Sequence, residues 1–407
     1  MLKLNNLSND IFTYNKELGT KVNAAGKELI REEIVAQGRL VACEKAGMEI
    51  NKRNNSVEKY VSRLNGENVD YTTFAQKHLE QKLLFCAAQS YKAVGKDPSD
   101  LTIDDVKNNM GFAKDITFIK TLAAIDSDVI TPLFFKVMDD ASQRNLLQWE
   151  STRLGATKEI NIKSNDAFLW EDSAFGSLHS GSYNYLYGDS VAITPKMKTC
   201  RAKIKYYQDI VNGDAGDYYM AMIRGYESKI YAMFVNGLST ASANVKYMPS
   251  NLQASTYSET NWNTIIQKVA AANGIDRKSI IALGDAAALA KVIPSAQGFQ
   301  MGLGEEWFKN GYIGNKFGVD LVEVKPVVVP GTQNTSITPI FPNNEIYFVA
   351  KAGTGYAPMY GVYVDGTPIT ITMSVDDTAD GTIDLEVAAL FDIAPIFASK
   401  VGRLTNV

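Results

Sequence analysis

Ser177, His179 and Ser180 stand close together, and hydroxyls beside an imidazole are the beginning of a nucleophile and its base. No Gly-x-Ser-x-Gly elbow surrounds them, and no acid stands at a spacing that completes a triad. They read as a solvated loop. With 2 His in 407 residues, catalysis or metal binding by several imidazoles is nearly excluded. Gly302-Leu303-Gly304 and Gly311-Tyr312-Ile313-Gly314 have the outline of a phosphate cradle. Neither follows a strand and opens a helix, so turns and close packing account for them better. Asp376, Asp380 and Gly381 suggest a Ca²⁺ loop, but Thr378 holds the third ligand position and Val387 stands where the bidentate Glu belongs. A hairpin explains that stretch. Cys43, Cys86 and Cys200 lack metal-ligand spacing, and an odd count leaves at least one free thiol. The expectation is a chain with no catalytic residues, no metal ligands and no cofactor.

One cluster of charge remains: Lys196, Lys198, Arg201, Lys203 and Lys205. On a strand, the first two share one face and the last three the other, unless a bulge re-registers them. Such a row is either a solvated strand face or a contact with phosphates or an acidic partner. The whole chain is not basic. It has 41 Lys and Arg against 45 Asp and Glu, a net charge of −4, which is too balanced for a dedicated nucleic-acid binder. Its 20 Tyr and 17 Phe stand out more than its charge, and Tyr in such number suits extensive contact between proteins as well as core packing.

The least ordinary stretch is 164–190, SNDAFLWEDSAFGSLHSGSYNYLYGDS. Phe168, Trp170, Phe175, Tyr183, Tyr185 and Tyr187 stand there among Gly176, Gly181 and Gly188, without a helical period. A connection this long inside a compact domain implies function. A two-stranded arm is the natural form, reaching roughly 30 Å for ten residues a side. A lone hairpin is marginal in water, so its aromatics need a surface to lie on, and another subunit can supply it.

Around this stretch the chain divides into ordinary elements. Its length suggests about two to three domains. The N-terminus carries no apolar run of signal-peptide length, and no stretch approaches the ~20 apolar residues of a transmembrane helix. Residues 14–110 read as helical, with Leu18, Val22, Ala25 and Leu29 on one face and a second helix over 74–94. Residues 117–148 read as apolar and irregular. Residues 157–163 and 191–207 read as strands. Residues 214–237 form a clear helix with Tyr219, Met222, Ile223, Tyr226, Ile230, Met233 and Phe234 on one stripe, capped by Asp214 or Asp217 and ended by Gly237. A polar linker over 238–260 leads to an α/β region: a helix over 262–273, strands over 279–283, 319–324 and 346–350, and a short helix over 285–292. The C-terminal part reads as β, with Asp365–Gly366 and Asp380–Gly381 as hairpin turns.

The order of these parts resembles the major capsid protein of tailed double-stranded DNA bacteriophages, the Hong-Kong-97-type shell fold. Residues 217–237 (DYYMAMIRGYESKIYAMFVNG) resemble its spine helix, and 164–190 its extended E-loop. Residues 279–294 (SIIALGDAAALAKVIP) resemble its axial-domain strand and helix, 311–323 (GYIGNKFGVDLVE) its recurrent glycine-then-strand segment, and 383–404 its closing peripheral-domain strand and tail. The resemblance covers roughly 115–407 and rests mainly on order.

It implies an α+β chain divided as follows: a helical N-terminal assembly segment over 1–114, an N-arm and start of the peripheral domain over 115–163, the E-loop over 164–190, the peripheral domain with spine helix over 191–260, the axial domain over 261–365, and a closing β-hairpin and peripheral strand over 366–407. It implies a structural protein, not an enzyme, that self-assembles into hexamers and pentamers of an icosahedral shell around the viral genome. Its partners would be its own copies, a portal protein, scaffold and decoration proteins, and packaged DNA bound without sequence specificity, but no membrane. It would be assembled in the host cytoplasm and reside in the virion capsid. The E-loop aromatics would make inter-subunit contacts, and the basic cluster would meet phosphates. Some shells of this fold join an E-loop Lys to a neighbouring Asn, but 164–195 contains no Lys, so non-covalent contacts are expected. The alternatives are an encapsulin-type cellular compartment, which the long helical N-terminus and the length argue against, and an α/β enzyme or ligand-binding protein, which the missing catalytic constellation argues against.

Overall fold

The computed structural model describes residues 48–51, 56–60, 71–143, 147–162, 168, 170, 189–212, 215–292, 312, 314–332, 336–351, 359–365, 369–375, 381–394 and 399–407. The predicted face of Leu18, Val22, Ala25 and Leu29 lies outside them, as does Asp214. Contacts group the chain into two compact units. One takes the chain up to Phe134, Lys198–Ile223 and Ile369–Ala389, and the other takes Phe135–Met197, Arg224–Pro368 and Leu390–Val407.

In the first unit, β1 (Met48–Asn51) and β2 (Ser56–Tyr60) pair antiparallel, which corrects the helical reading of that stretch. These runs are short, and Ile50 is paired with Val57 in the ladder. Helix α1 (Tyr71–Ala93) stands where the sequence predicts one, and α2 (Ile103–Asn108) opens with a capping box between Thr102 and Asp105.

Helix α3 (Ile116–Gln143) replaces the irregular stretch expected over 117–148. Its start is fixed by Asp115, whose carboxylate accepts from the N–H groups of Thr117 and Phe118. Phe118, Ile119, Leu122, Ile125 and Asp126 are buried, at the three- and four-residue steps of one face. The rings of Tyr91, Phe112, Phe118 and Tyr206 follow one another at centroid distances of 6.0, 5.2 and 5.9 Å. Tyr206 opens a π-helical turn, Tyr206–Val211, and donates to the carbonyl of Val106.

Helix α4 (Ala215–Ser242) carries the predicted stripe, with Tyr219, Met222, Ile223, Ile230 and Phe234 buried. Asp217 lies in its first turn, where a carboxylate suits the helix dipole. Gly237 does not end it. Leu238 and Ala241 extend the buried stripe for another turn, and that burial outweighs the weak helical preference of glycine.

The second unit holds a six-stranded sheet in the order β7, β15, β11, β8, β10, β9. These are Gln253–Ala254, Gly402–Thr405, Glu345–Ala350, Ile280–Gly284, Val319–Glu323 and Asn315–Lys316. The β8 strand is buried at every residue, as its apolar run predicts, and pairs parallel with β10 and antiparallel with β11. Helix α5 (Glu259–Asn273) is capped by the Ser258 hydroxyl and stopped by Gly274 at φ +62°. It buries Trp262, Ile265, Ile266 and Val269 against the sheet, with the Trp262 ring 4.9 Å from Phe348. The short helix α6 (Ala286–Leu289) starts from an Asp285 cap. The tail that the sequence joins to the closing peripheral strand enters this sheet as β15, beside β11 and β7.

The remaining strands are β3 (Gln148–Thr152), β4 (Lys158–Ile162), β5 (Asp189–Ile193), β6 (Lys196–Lys205), β12 (Tyr360–Val364), β13 (Ile369–Val375) and β14 (Thr382–Ala394). Thr194 and Pro195 divide the predicted 191–207 strand into β5 and β6. The Asp380–Gly381 hairpin stands, since Val375 pairs with Ile383 and Ile369 with Ala389. The hairpin expected at Asp365–Gly366 does not join β12 to β13, which are not neighbours in the sheet; Gly366 lies outside the described residues. β12 pairs with Tyr363 opposite Phe391 on β14 and, parallel, with β3, while β13 pairs with an earlier stretch of β14. An Asp-Gly pair can turn a chain locally without bringing its flanks together.

Asp126 is a buried carboxylate of the first unit. Lys82 Nζ lies 2.8 Å from one carboxylate oxygen, and the Tyr219 hydroxyl donates to the other at 2.8 Å. Burial, and then the Asp126 charge, push the Tyr219 hydroxyl far above its ordinary range, so it stays a donor. This joins α1, α3 and α4 at one atom group. Asp126→Asn should destabilise the chain by about 3–5 kcal/mol, because it leaves the Lys82 ammonium without its countercharge. Urea unfolding checks this, with Asp126→Asn/Lys82→Met recovering most of the loss.

Candidate assembly surfaces

The aromatic stretch is rooted in a small ribbon. β4 and β5 pair from Lys158 opposite Ile193 to Ile162 opposite Asp189, and the hydroxyls of Thr157 and Thr194 share a 2.8 Å hydrogen bond beside that pair. Alternation places Ile160 and Ile193 in a buried cluster with Tyr360, Val362 and Ala394. Lys158 pairs with Glu150 at 2.9 Å. The ribbon root is therefore held by packing, and the chain leaves it at 163 and returns at 189. Along that excursion, Phe168 is 51% exposed and Trp170 is 95% exposed. An indole this bare has almost none of its surface covered by its own chain. Phe175, Tyr183, Tyr185 and Tyr187 lie outside the described residues, as do Ser177, His179 and Ser180.

Beside the ribbon root lies a cleft of about 700 Å³, lined by Val191, Ile193, Lys196, Asn244, Tyr247 and Asp392 among others. Lys196 and Asp392 stand 3.6 Å apart within it.

The basic cluster occupies β6, where Lys196, Arg201, Lys203 and Lys205 are exposed and Lys198 is half-buried. The structure pairs β6 with β14. Arg201 Nε lies 3.1 Å from Glu386, and Lys203 Nζ 3.8 Å from Asp384. With Lys196 opposite Asp392, three of the five cations meet carboxylates on one face of β14. Lys196, Arg201 and Lys203 thus all reach carboxylates of β14, although 196 differs in parity from 201 and 203 along the strand. Sequence reading picks out the cations but misses Asp384, Glu386 and Asp392. Their period-two spacing between Leu385, Val387 and Phe391 is the signal that could have found them.

The two described thiols differ in kind. Cys86 is buried, and that burial pushes its thiol well above the ordinary range, so it is inert. Cys200 is exposed on β6. Cys43, the 302–304 glycines, Gly311, Ile313, Asp376, Thr378 and Asp380 fall outside the described residues. Gly381 is described, at φ +67°, and Val387 is buried on the inner face of β14. Among the described residues no group of His, Cys, Asp and Glu could hold a metal ion, and no helix is long and apolar enough to cross a membrane.

No family model matches the chain, and no curated protein matches it. Solved structures do. The capsid of cyanophage P-SCSP1u is similar at a TM-score of 0.41 and 10% identity, over 64% of this chain and 86% of that one. The mature capsid of bacteriophage PhiM1 is similar at 0.41 and 12%, over 64% and 86%. The SrpI encapsulin of Synechococcus elongatus is similar at 0.34 and 11%, over 65% and 87%.

The ion pairs on β6 set an expectation for nucleic acid. Carboxylates already neutralise Arg201 and Lys203, so the chain should bind duplex DNA weakly. The double variant Asp384→Ala/Glu386→Ala removes both of these carboxylates. It should tighten sequence-blind DNA binding and steepen the log–log salt dependence by about two. A fluorescence titration across salt concentrations measures both.

Proposed function

We propose that this chain is the major capsid protein of a tailed bacteriophage, assembling as hexamers and pentamers into an icosahedral shell around double-stranded DNA. The observation that carries this reading is the near-complete exposure of Trp170 on an excursion from an otherwise packed two-stranded ribbon. A large ring gains roughly 25 cal/mol per Å² of surface when covered, and a neighbouring copy is the cover that repeats at every position of a lattice. The order of elements supports the same reading. A long helix, α4, stands between the strands that follow the aromatic stretch and an α/β sheet, as the spine helix does in the resemblance drawn above.

In this mechanism the shell forms by quasi-equivalent self-association. The six-stranded sheet belongs to the domain that meets its copies around local symmetry axes. The sheet built on β14, with α4, forms the wall. Phe168, Trp170, Phe175, Tyr183, Tyr185 and Tyr187 reach across to a neighbour. Residues 1–114 act as a built-in assembly or reinforcing segment. Portal, scaffold and decoration proteins complete the particle, and contact with packaged DNA is electrostatic and indifferent to sequence, because a packaged genome has no fixed sequence to read.

Electron microscopy of the expressed chain tests the reading. Closed particles are expected, and a small oligomer in gel filtration overturns it. Nuclease-protected DNA in the native particle separates a capsid from a compartment loaded with protein cargo. Phe168→Ala/Trp170→Ala should raise the concentration needed for assembly at least about tenfold, the scale of a buried aromatic anchor. Boiled, reduced particles should run as one band near 44.7 kDa, since the aromatic excursion has no amine with which to form a covalent link.

A further inference from the structure

β13 (ITITMSV) runs beside β14 in unbroken register, from Ile369 opposite Ala389 to Val375 opposite Ile383. Along that stretch the other side of β14 is taken by β6, whose Arg201 and Lys203 meet Glu386 and Asp384. Among the described residues β14 is the only strand beside β13, and no backbone hydrogen bond from outside the sheet reaches it. Its far side therefore presents a row of peptide N–H and C=O groups about 24 Å long.

The strands on the two sides of β14 differ in how they are guarded. β6 carries Lys198, Arg201, Lys203 and Lys205, the kind of charge that keeps an edge from pairing. β13 has no charged residue, no proline and no bulge. Five of its residues, Ile369, Thr370, Ile371, Thr372 and Val375, are β-branched and suit a strand. Ile369, Ile371 and Met373 are buried on one face, while Thr370, Thr372 and Ser374 are exposed on the other. An edge of this length left without any guard is a template for another strand.

We propose that the free edge of β13 pairs antiparallel with β13 of a second copy of this chain, about a twofold axis at Thr372. This rests on the capsid reading above and adds one contact to it. The choice of occupant follows from the strand's own sequence. With Thr372 opposite Thr372, Thr370 meets Ser374, Ile371 meets Met373 and Ile369 meets Val375. All seven residues are matched, hydroxyl against hydroxyl and apolar against apolar. A slip of one residue would set the hydroxyls against the apolar face. Charge agrees with this choice. The nearest charges on the exposed face are Glu386 and Asp384, which β14 places opposite Thr372 and Ser374. Each already meets a cation of β6, so the edge offers a basic peptide little attraction. In the self-pair the two acidic rows stand three strand spacings apart, roughly 14 Å, beyond the screening length of about 8 Å at physiological salt. The axis is perpendicular to the sheet, so both copies turn the same face outward, as neighbours in a shell wall must.

Cysteine pairing in assembled particles tests the register, in chains carrying Cys43→Ser and Cys200→Ser; Cys86 is buried. Facing Cα atoms of an antiparallel pair lie about 4.5–5.5 Å apart, within disulfide range. After mild oxidation, Thr372→Cys should give a dimer band on a non-reducing gel. Thr370→Cys alone and Ser374→Cys alone should not, because like positions are then displaced by four residues, about 14 Å. Particles co-assembled from those two variants should give the band. Thr372→Lys sets two ammonium groups opposite each other. It should raise the concentration needed for particles about fivefold or more in sedimentation velocity, with the unfolding midpoint of the unassembled chain within about 2 °C of the parent; if that variant does not fold, the gel decides. Closed particles with no Thr372→Cys dimer refute the pairing and leave the capsid reading standing. So does an equal band from Thr370→Cys alone, a cross-link to a different protein, or a folded Thr372→Lys that assembles at the parent concentration. If the parent chain itself never leaves the small-oligomer position, both proposals fall.

Discussion

The alternation of β14 is the constraint on which the sheet around it depends. Ile383, Leu385, Val387, Phe391 and Ile393 are buried on one face, while Asp384, Glu386 and Asp392 stand on the other. A slip of one residue would exchange the faces, exposing five apolar side chains and burying three carboxylates. Desolvating one unpaired carboxylate is already prohibitive, so the register has no competitor. The pairings of β12, β13 and β6 follow from that register. Phe391 receives the rings of Trp149 and Tyr226 edge-on at 6.1 and 5.2 Å. Trp149 reaches its place because residue 361 on β12 is glycine: a Cβ there would lie 2.4 Å from the indole. The indole N–H then donates to the Met138 carbonyl at 3.1 Å.

The outer face of β14 explains the basic strand beside it. Lysine on an edge strand discourages unwanted pairing, and the acidic row gives those charges partners within the sheet. Exposed pairs such as Arg201 with Glu386 add little stability singly, at most about 1 kcal/mol. Their larger effect is on what the strand can attract. A row that looks in sequence like a phosphate-binding stripe has much of its field cancelled two residues at a time by its neighbour.

Elements whose signals are local were legible in the sequence. The helix over 262–273 and the buried run of β8 each announce themselves within a few residues. So does the stripe of α4, up to Gly237. Beyond that point the local signal misleads, because the packing of Leu238 and Ala241 overrides the glycine. Helix α3 was hidden for a related reason. Its β-branched residues Val129, Ile130 and Thr131 dilute helical propensity, although Phe118, Leu122 and Ile125 keep the period. Asp365–Gly366 shows the other limit. A turn signal specifies a bend, while the partner of each flanking strand is set by pairing with chain far away in sequence, here β3 and β14.

The same distinction separates what was found at the surface from what was missed. The aromatic stretch around Trp170 was visible because its composition is unusual over 27 residues. The acidic row of β14 was not, because Asp384, Glu386 and Asp392 are scattered among apolar residues until the alternation of the strand collects them on one face. The two surfaces differ in what their own chain already satisfies. The carboxylates meet Lys203, Arg201 and Lys196 within the chain, whereas the Trp170 indole is left 95% exposed. Covering that ring would remove apolar surface from water, a gain that its own chain does not supply. Of the two, Trp170 is therefore where contact with another molecule has most to gain.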